Sequence, residues 1–133
     1  MEVTLALLAD AANISQQGKL NILGAFNQIF AQTFPATHPE LQLVVRFEAD
    51  ASEKGLEKTV KIVLLDPNGK FVREEGISLK LPPVWESGQK FGAILVKSIK
   101  RMEFDHPGTY ELTILVDDDQ KKKIQFQVVK QGA

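Results

Sequence analysis

The chain has 133 residues, of which 44% are hydrophobic and 25% are charged, and this composition is typical of a folded globular protein rather than a disordered one. Its 16 basic and 17 acidic residues leave a net charge of -1, which gives no general electrostatic attraction to nucleic acid or to an anionic membrane. Cysteine is absent from the sequence, which excludes disulfides, thiolate nucleophiles and cysteine-ligated metals. We expect one domain over residues 1–133, in the cytoplasm because no basic signal-peptide segment opens the chain.

The first two predicted strands are joined by a polar turn. Residues 3–9 are apolar on both sides, as in a strand covered on both faces, so this strand is expected to be central in its sheet. Residues 13–19 have turn chemistry, and residues 20–30 read as one long strand. Gly24 interrupts that strand, and a glycine inside a strand pattern predicts a bulge or a change of sheet.

Two prolines separate these strands from the next one. Pro35 and Pro39 lack the amide donor that a central strand needs, so residues 34–39 are predicted to form a crossing loop. Strict alternation over residues 40–49 then predicts a strand with one buried face and one solvated face. Residues 50–58 form a polar connection that has room for one helical turn.

The middle of the chain continues with strands and tight turns. Strands are predicted at residues 60–65, 71–81 and 91–99. A β-turn is predicted at residues 66–69, DPNG, because proline suits its second position and Asn-Gly suits a following positive φ. Residues 84–89 form a loop with the single tryptophan of the chain, Trp85.

The end of the chain is predicted to be a β-hairpin. Apolar residues alternate along residues 110–116 and again along residues 124–128, and the charged segment between them forms the turn. The approach to the first arm, FDHPGTY, matches a tyrosine corner, in which the Tyr110 hydroxyl bonds to the backbone a few residues upstream.

These elements predict an all-β fold, a single antiparallel β-sandwich of the immunoglobulin-like, Greek-key type with about seven to nine strands. Turn signals recur at short intervals, and no segment has the 3.6-residue period of a packed helix. The predicted core consists of the residues that face inward in this scheme: Leu5, Leu7, Ile22, Val45, Phe47, Ile62, Leu64, Leu79, Leu95, Tyr110, Leu112, Ile114 and Phe126.

Residues 8–26, LADAANISQQGKLNILGAF, resemble the opening of an uncharacterised bacterial family of small sandwich proteins, a domain of unknown function. The resemblance continues more loosely around Pro35 and Pro39, along residues 43–47 and along residues 64–69. It implies an immunoglobulin-like fold and brings no known reaction, ligand or cofactor with it.

Three side chains are candidates for a ligand-binding or hydrolytic site in the end loops. His38 and His106 are the two histidines of the chain, each precedes a proline, and Trp85 could line a binding loop. An acid or base role requires oriented partners, whereas neighbours on extended chain, such as Asp105 beside His106, point to opposite sides. We therefore favour half-exposed histidines and a tryptophan folded over one end of the sandwich, and assign no catalytic, cofactor-binding or metal-binding residue.

Other candidate sites are weaker still. The acidic residues 117–119 are possible calcium ligands, but they lack the ligand spacing of a calcium loop and lysines follow them, which favours a solvated turn. Ser52 and Ser87 lie beside acidic residues without a histidine nearby in sequence. A basic stripe next to Phe91 or Phe104 would suit single-stranded nucleic acid, although the near-neutral charge argues against it. Its members are Lys80, Lys90, Lys97, Lys100 and Arg101.

Self-association is the remaining possibility. Several apolar residues fall on faces predicted to point outward, and an apolar outer face often marks a partner surface, although loops or lysine stems are an equally good cover. These residues are Val44, Val63, Leu65, Leu115 and Val129. The sequence thus favours a non-catalytic binding or assembly module, with a protein partner or a symmetric homodimer through a sheet face or edge strand.

Overall fold

Alternating apolar side chains fold almost the whole chain into strands that bury one face. A computed structural model describes residues 1–86 and 88–132, and in this part of the chain it contains nine strands and one short 3₁₀ turn, Ala51–Glu53. The strands are β1 (Glu2–Ile14), β2 (Leu20–Phe26), β3 (Gln28–Ala31), β4 (Ala36–Ala49), β5 (Glu57–Leu65), β6 (Phe71–Lys80), β7 (Phe91–Phe104), β8 (Gly108–Val116) and β9 (Asp119–Lys130).

The strands form two sheets, in the orders β2-β1-β4-β7 and β3-β9-β8-β5-β6. All neighbours pair antiparallel except β3 and β9, which are parallel. The series β1-β4-β7 and β9-β8-β5-β6 follow the A-B-E and G-F-C-C′ strand orders of an immunoglobulin sandwich, to which β2 is added at one edge. The predicted immunoglobulin-like β-sandwich is therefore confirmed.

The core lies between the two sheets. Eight of the predicted core residues are at most 2% exposed: Val45, Phe47, Ile62, Leu64, Tyr110, Leu112, Ile114 and Phe126. Leu79 and Leu95 are partly buried against this cluster. The cluster also includes residues that the predicted core omitted, among them Leu8, Leu41, Leu43, Val60, Ile99, Met102 and Phe104.

Three predicted core residues lie elsewhere, and all belong to the first two strands. The register of β1 against β4 shifts between Val3 and Leu5, so that Leu8 faces the core and Leu7 faces outward beside Val44. The prediction that Leu5 and Leu7 are core residues was thus wrong. The prediction was also wrong for Ile22, which is 38% exposed because β2 is the edge strand of its sheet.

The segment with two prolines is the predicted crossing loop only in part. Residues 32–35, with Pro35, connect β3 in the second sheet to β4 in the first, whereas Pro39 lies in a strand. β4 starts at Ala36 and includes Pro39. Pro39 is tolerated because this part of β4 pairs with β7 alone, since β1 joins β4 only from Gln42 onward. A missing amide donor costs little on the side of a strand that has no partner.

The change of sheet occurs after Gly24. The predicted long strand over residues 20–30 is two strands, and Asn27 separates β2 in the first sheet from β3 in the second. Gly24 nevertheless has the positive φ, 70°, that a strand irregularity requires.

The closing hairpin has the predicted tyrosine corner. The hydroxyl of Tyr110 donates a hydrogen bond to the carbonyl oxygen of His106 at 2.7 Å, which holds the loop before β8. Asp117 and Asp118 form the two-residue turn between β8 and β9 with φ of 48° and 67°, as a type I′ hairpin turn requires. Within residues 1–86 and 88–132, no helix is long and apolar enough to cross a membrane.

Candidate functional site

β1 and β2 extend beyond the sandwich as a two-stranded hairpin. β1 pairs with β4 from Glu2 to Ala9, and beyond Ala9 its sheet partner in the described structure is β2. β2 is the edge strand of its sheet, and its residues 21–25 are all exposed. We call residues 10–26 the β1–β2 arm.

Local polar contacts close the tip of the arm. The backbone N–H of Ser15 donates to the carbonyl oxygen of Lys19 at 2.8 Å, and the N–H of Gly18 donates to the carbonyl oxygen of Ser15 at 2.9 Å. Below the tip, the Asn21 side-chain amide donates to Oδ1 of Asn13 at 2.9 Å. The arm is thus held by its own two strands, and an isolated hairpin of this kind is only marginally stable in water.

Large apolar side chains are exposed on both faces of the arm. Ile14 and Ile22 are 46% and 38% exposed and belong to the face that continues the inner side of the first sheet. Leu23, on the opposite face, is 72% exposed. No charged side chain occurs between Leu20 and Phe26, so the exposed surface of this strand is mainly apolar. Exposed apolar surface of this kind is typical of an interaction site.

A cleft of about 380 Å³ lies where the arm leaves the sandwich. The base of the arm, β3 and the start of β4 form its walls. Its lining residues are Asp10, Gly24, Ala25, Phe26, Gln28, Ile29, Phe30 and His38. The His38 ring lies against Phe26 with ring centroids 6.1 Å apart, and Phe30 is 57% exposed beside it. The cleft therefore combines an aromatic and aliphatic floor with one carboxylate, one imidazole and one carboxamide.

Asp10 and Gly24 face each other across the two strands of the arm. The Asp10 carboxyl group lies against the Cα of Gly24, so closely that a Cβ at residue 24 would collide with it. The described structure shows neither a hydrogen bond nor an ion pair between Asp10 and His38, so they are not an oriented acid and base pair.

His38, Trp85 and His106 do not form one pocket, which corrects their grouping as a single end-loop site. Trp85 stacks on Phe91 at the start of β7, with ring centroids 5.2 Å apart, whereas His106 follows the end of β7. The 14 residues of β7 separate these positions by roughly 40 Å at the rise of an extended strand. His38 lies in a strand and lines the cleft.

Trp85 and His106 each have structural partners. The indole N–H of Trp85 donates to the carbonyl oxygen of Gln89 at 3.0 Å, and the Lys54 ammonium lies 5.4 Å from the ring centroid. The side chain is folded back over one end of the sandwich, as the sequence favoured. His106 Nε2 is 3.9 Å from Oδ2 of Asp66, a residue distant in sequence, rather than paired with the adjacent Asp105.

The acidic turn is paired with lysines. Asp117 contacts Lys58 at 3.5 Å, Asp118 contacts Lys61 at 3.0 Å and Asp119 contacts Lys121 at 3.1 Å. Asp117 Oδ1 also accepts a hydrogen bond from the N–H of Thr59 at 2.9 Å, and this bond is the main cause that lowers the pKa of Asp117. In residues 1–86 and 88–132, no three His, Asp or Glu side chains are arranged to hold a metal ion.

The remaining candidates have structural partners too. Phe104 is fully buried and Phe91 stacks on Trp85, so neither offers a free ring beside the basic stripe. Ser52 donates its hydroxyl hydrogen bond to Asp50 Oδ1 at 2.5 Å, and Ser87 lies outside the described residues.

A model of a family of unknown function, DUF6941, matches residues 4–129, which is nearly the whole chain. The chain belongs to DUF6941. Its fold is similar to that of an immunoglobulin-like protein from Pseudomonas aeruginosa, with 14% sequence identity over 92% of this chain and 96% of that one and a TM-score of 0.45. No curated protein matches this DUF6941 chain at a significant level.

The outward apolar residues predicted from the sequence do not form the open surface of this DUF6941 protein. Val44 is fully buried between its neighbours in β1 and β7, and Val63, Leu65, Leu115 and Val129 are partly buried. The exposed apolar residues Ile14 and Leu23 of the arm, and Phe30 of β3 beside it, were missed as an interaction surface. A signal was present in the uncharged run over residues 20–26, which was interpreted as a strand that the core covers.

Proposed function

We propose that this DUF6941 protein is a non-catalytic binding module that recognises a protein partner through the β1–β2 arm. One observation carries the proposal, namely an arm that extends beyond the sandwich with Ile14, Ile22 and Leu23 exposed. A partner that covers these side chains removes apolar surface from water, at roughly 25 cal/mol for each Å². We place this role in the bacterial cytoplasm, where a chain without cysteine is at no disadvantage.

The cleft at the base of the arm supports the same function. Its floor of Phe26 and Ile29 accepts an apolar side chain from a partner, and Asp10 and His38 supply a polar rim. Binding interfaces combine an apolar anchor pocket with a polar rim in this way. The sequence-based alternative of a hydrolytic site gains no support from the cleft, because Asp10 and His38 do not contact each other and Trp85 and His106 lie elsewhere.

The test compares partners captured by two double variants with those captured by the wild type. The arm variant Ile22→Ser with Leu23→Ser removes the exposed apolar groups of β2. The control, Phe71→Ser with Val72→Ser, removes side chains that are 60% and 39% exposed at the edge strand β6. Each protein is immobilised, exposed to lysate of the native cell and analysed by mass spectrometry.

We expect the wild type and the control to retain the same partner and the arm variant to lose it. Unfolding curves of the purified variants establish that all three proteins are folded. A partner that binds all three equally would show that the arm is not the binding surface. A partner lost only from the β6 variant would place the surface at the opposite edge and overturn the proposal.

A further inference from the structure

The edge strands of the two sheets differ in how they are protected against pairing with another chain. Natural proteins protect a free edge with charged side chains, a short strand or a covering group, because unpaired backbone groups are a template for another strand. β6 has four charged residues, Arg73, Glu74, Glu75 and Lys80, and β3 is only four residues long. β7 is covered in part, since Nη1 of Arg73 donates to the carbonyl oxygens of Lys100 at 2.5 Å and Arg101 at 3.2 Å.

β2 has none of these protections. Its seven residues, LNILGAF, include no charged side chain and no proline, and among the described strands it pairs with β1 alone. The backbone groups that face its free edge follow from the hydrogen-bond pattern of the arm. Ser15 and Lys19 form a hydrogen-bonded pair, so by alternation Asn21 and Leu23 bond to β1, while Leu20, Ile22 and Phe26 direct their N–H and C=O groups outward.

We infer that β2 pairs antiparallel with β2 of a second copy, which joins the two four-stranded sheets into one sheet of eight strands. This inference rests on the proposed role of the arm and specifies the partner. A two-fold axis through Leu23 overlaps all seven residues, so that Ile22 faces Gly24 of the partner subunit and Leu20 faces Phe26 of the partner subunit. The residues that direct backbone groups outward then face one another, as the ladder requires.

The side chains suit this register. No like charges face each other, because residues 20–26 are uncharged in both copies. Gly24 has no side chain of its own opposite Ile22 of the other copy, and the Asp10 carboxyl group fills the space against its Cα. A leucine faces an aromatic ring at each end of the ladder. Leu23, which is 72% exposed in one copy, packs against its own symmetry equivalent. An isologous contact of this kind closes as a dimer and does not continue into a fibre.

Single cysteines test the register, because the natural chain has none. Leu23 would form a non-hydrogen-bonded pair with its equivalent, with Cα atoms roughly 4.5 Å apart, which is within disulfide range. We expect Leu23→Cys to give a covalent dimer under mild oxidation. Ile22→Cys and the exposed β6 control Val72→Cys should stay largely monomeric under the same conditions. A β6 dimer or preferential Ile22→Cys dimers would overturn the inference.

A charge pair tests the two-fold axis without oxidation. Leu23→Lys and Leu23→Glu each place two like charges opposite one another at the axis, so each protein alone should associate at least tenfold more weakly than the wild type in sedimentation equilibrium. An equimolar mixture should recover dimers, because Lys then faces Glu. Leu23 is exposed, so neither change should alter the unfolding curve of the monomer. Failure of the mixture to recover dimers would contradict the symmetric contact.

The two proposals fail in different ways. A protein that remains monomeric in the cysteine and charge-pair experiments, yet loses a lysate partner on Ile22→Ser with Leu23→Ser, would overturn the homodimer and leave the binding arm in place. A dimer that forms through another surface, together with lysate partners unaffected by the arm variant, would overturn both proposals.

Discussion

Tyr110 links the loop before β8 to the hydrophobic core. Its ring is 1% exposed and packs edge-to-face on Phe104, with centroids 4.8 Å apart, and against Phe126 at 5.9 Å. Its hydroxyl reaches out of the core to the carbonyl oxygen of His106. Burial raises the pKa of Tyr110 above its ordinary value, although the hydrogen bond to His106 acts in the opposite direction. The hydroxyl therefore remains a donor throughout the physiological range.

Tyr110→Phe removes this hydrogen bond and leaves the ring packing in place. We expect a loss of about 1 kcal/mol in the free energy of unfolding, the usual net value of one such bond. Urea unfolding at neutral pH measures the loss, and Thr109→Val, at an exposed neighbouring position, serves as the control with no comparable change. If Tyr110→Phe and the wild type unfold at the same urea concentration, the tyrosine corner does not stabilise the fold.

The buried face of a strand could be predicted where one face is apolar and the other polar. It could not be predicted where both faces are apolar. The alternation in residues 40–49 identified the buried side of β4, apart from Val44 on its outer face, because only one side could enter the core. β1 is apolar on both sides, so the sequence left its orientation open, and a register shift near Leu5 determined it. Ile22 has the pattern of a core residue, but whether a sheet covers it depends on where the neighbouring strands end.

Two features of the β1–β2 arm require glycine at residue 24. Its φ of 70° is strained for other residues, and an added Cβ would strike the Asp10 carboxyl group. We expect Gly24→Ala to destabilise the arm by about 1 kcal/mol or more. Hydrogen exchange should then be faster than in the wild type at the amides of residues 11, 13, 21 and 23, which bond across the arm, while exchange in β4 and β8 is unchanged.

Gly76→Ala is the matched control for this change. Gly76 lies within β6, has no positive φ and has open space around its Cα, so alanine is expected to be neutral or slightly stabilising. Adding Asp10→Ala to Gly24→Ala should restore part of the lost protection, since it removes the collision and leaves only the strained φ. Equal exchange rates in Gly24→Ala and the wild type would refute this account of the arm.

For the whole molecule, the fold could be predicted from the sequence, whereas the cleft at the base of the arm could not. The turn at residues 66–69 and the tyrosine corner depend on residues close together in sequence, so the sequence alone could predict both. The cleft, by contrast, brings Asp10 together with His38 and Phe30 from three separate strands, and no spacing in the sequence encodes that meeting. The resemblance in residues 8–26 did coincide with the arm, although it carried no function with it.

Glu53 joins the two sheets at the end of the sandwich opposite His106. It is 7% exposed, and its Oε1 accepts hydrogen bonds from the Met1 amino group at 3.0 Å and the N–H of Asp50 at 3.1 Å. Its Oε2 lies 3.3 Å from Lys58 Nζ, which also contacts Asp117 in the closing turn. Burial alone would raise the pKa of Glu53, but these hydrogen bonds and the positive charges outweigh it and lower the pKa.

A lowered pKa in the folded state makes the contribution of Glu53 to stability dependent on pH. The contribution is fully present above the unfolded-state pKa of about 4.3 and is lost as pH falls through the lower folded-state value. Glu53→Gln should therefore cost about 1.5–3 kcal/mol at neutral pH, the range for hydrogen bonds to a charged group, and progressively less below about pH 4. Urea unfolding across this pH range measures the difference, with the exposed Glu74→Gln on β6 as the control. If the difference in unfolding free energy between Glu53→Gln and the wild type does not change as pH falls, the charge of Glu53 does not contribute to stability.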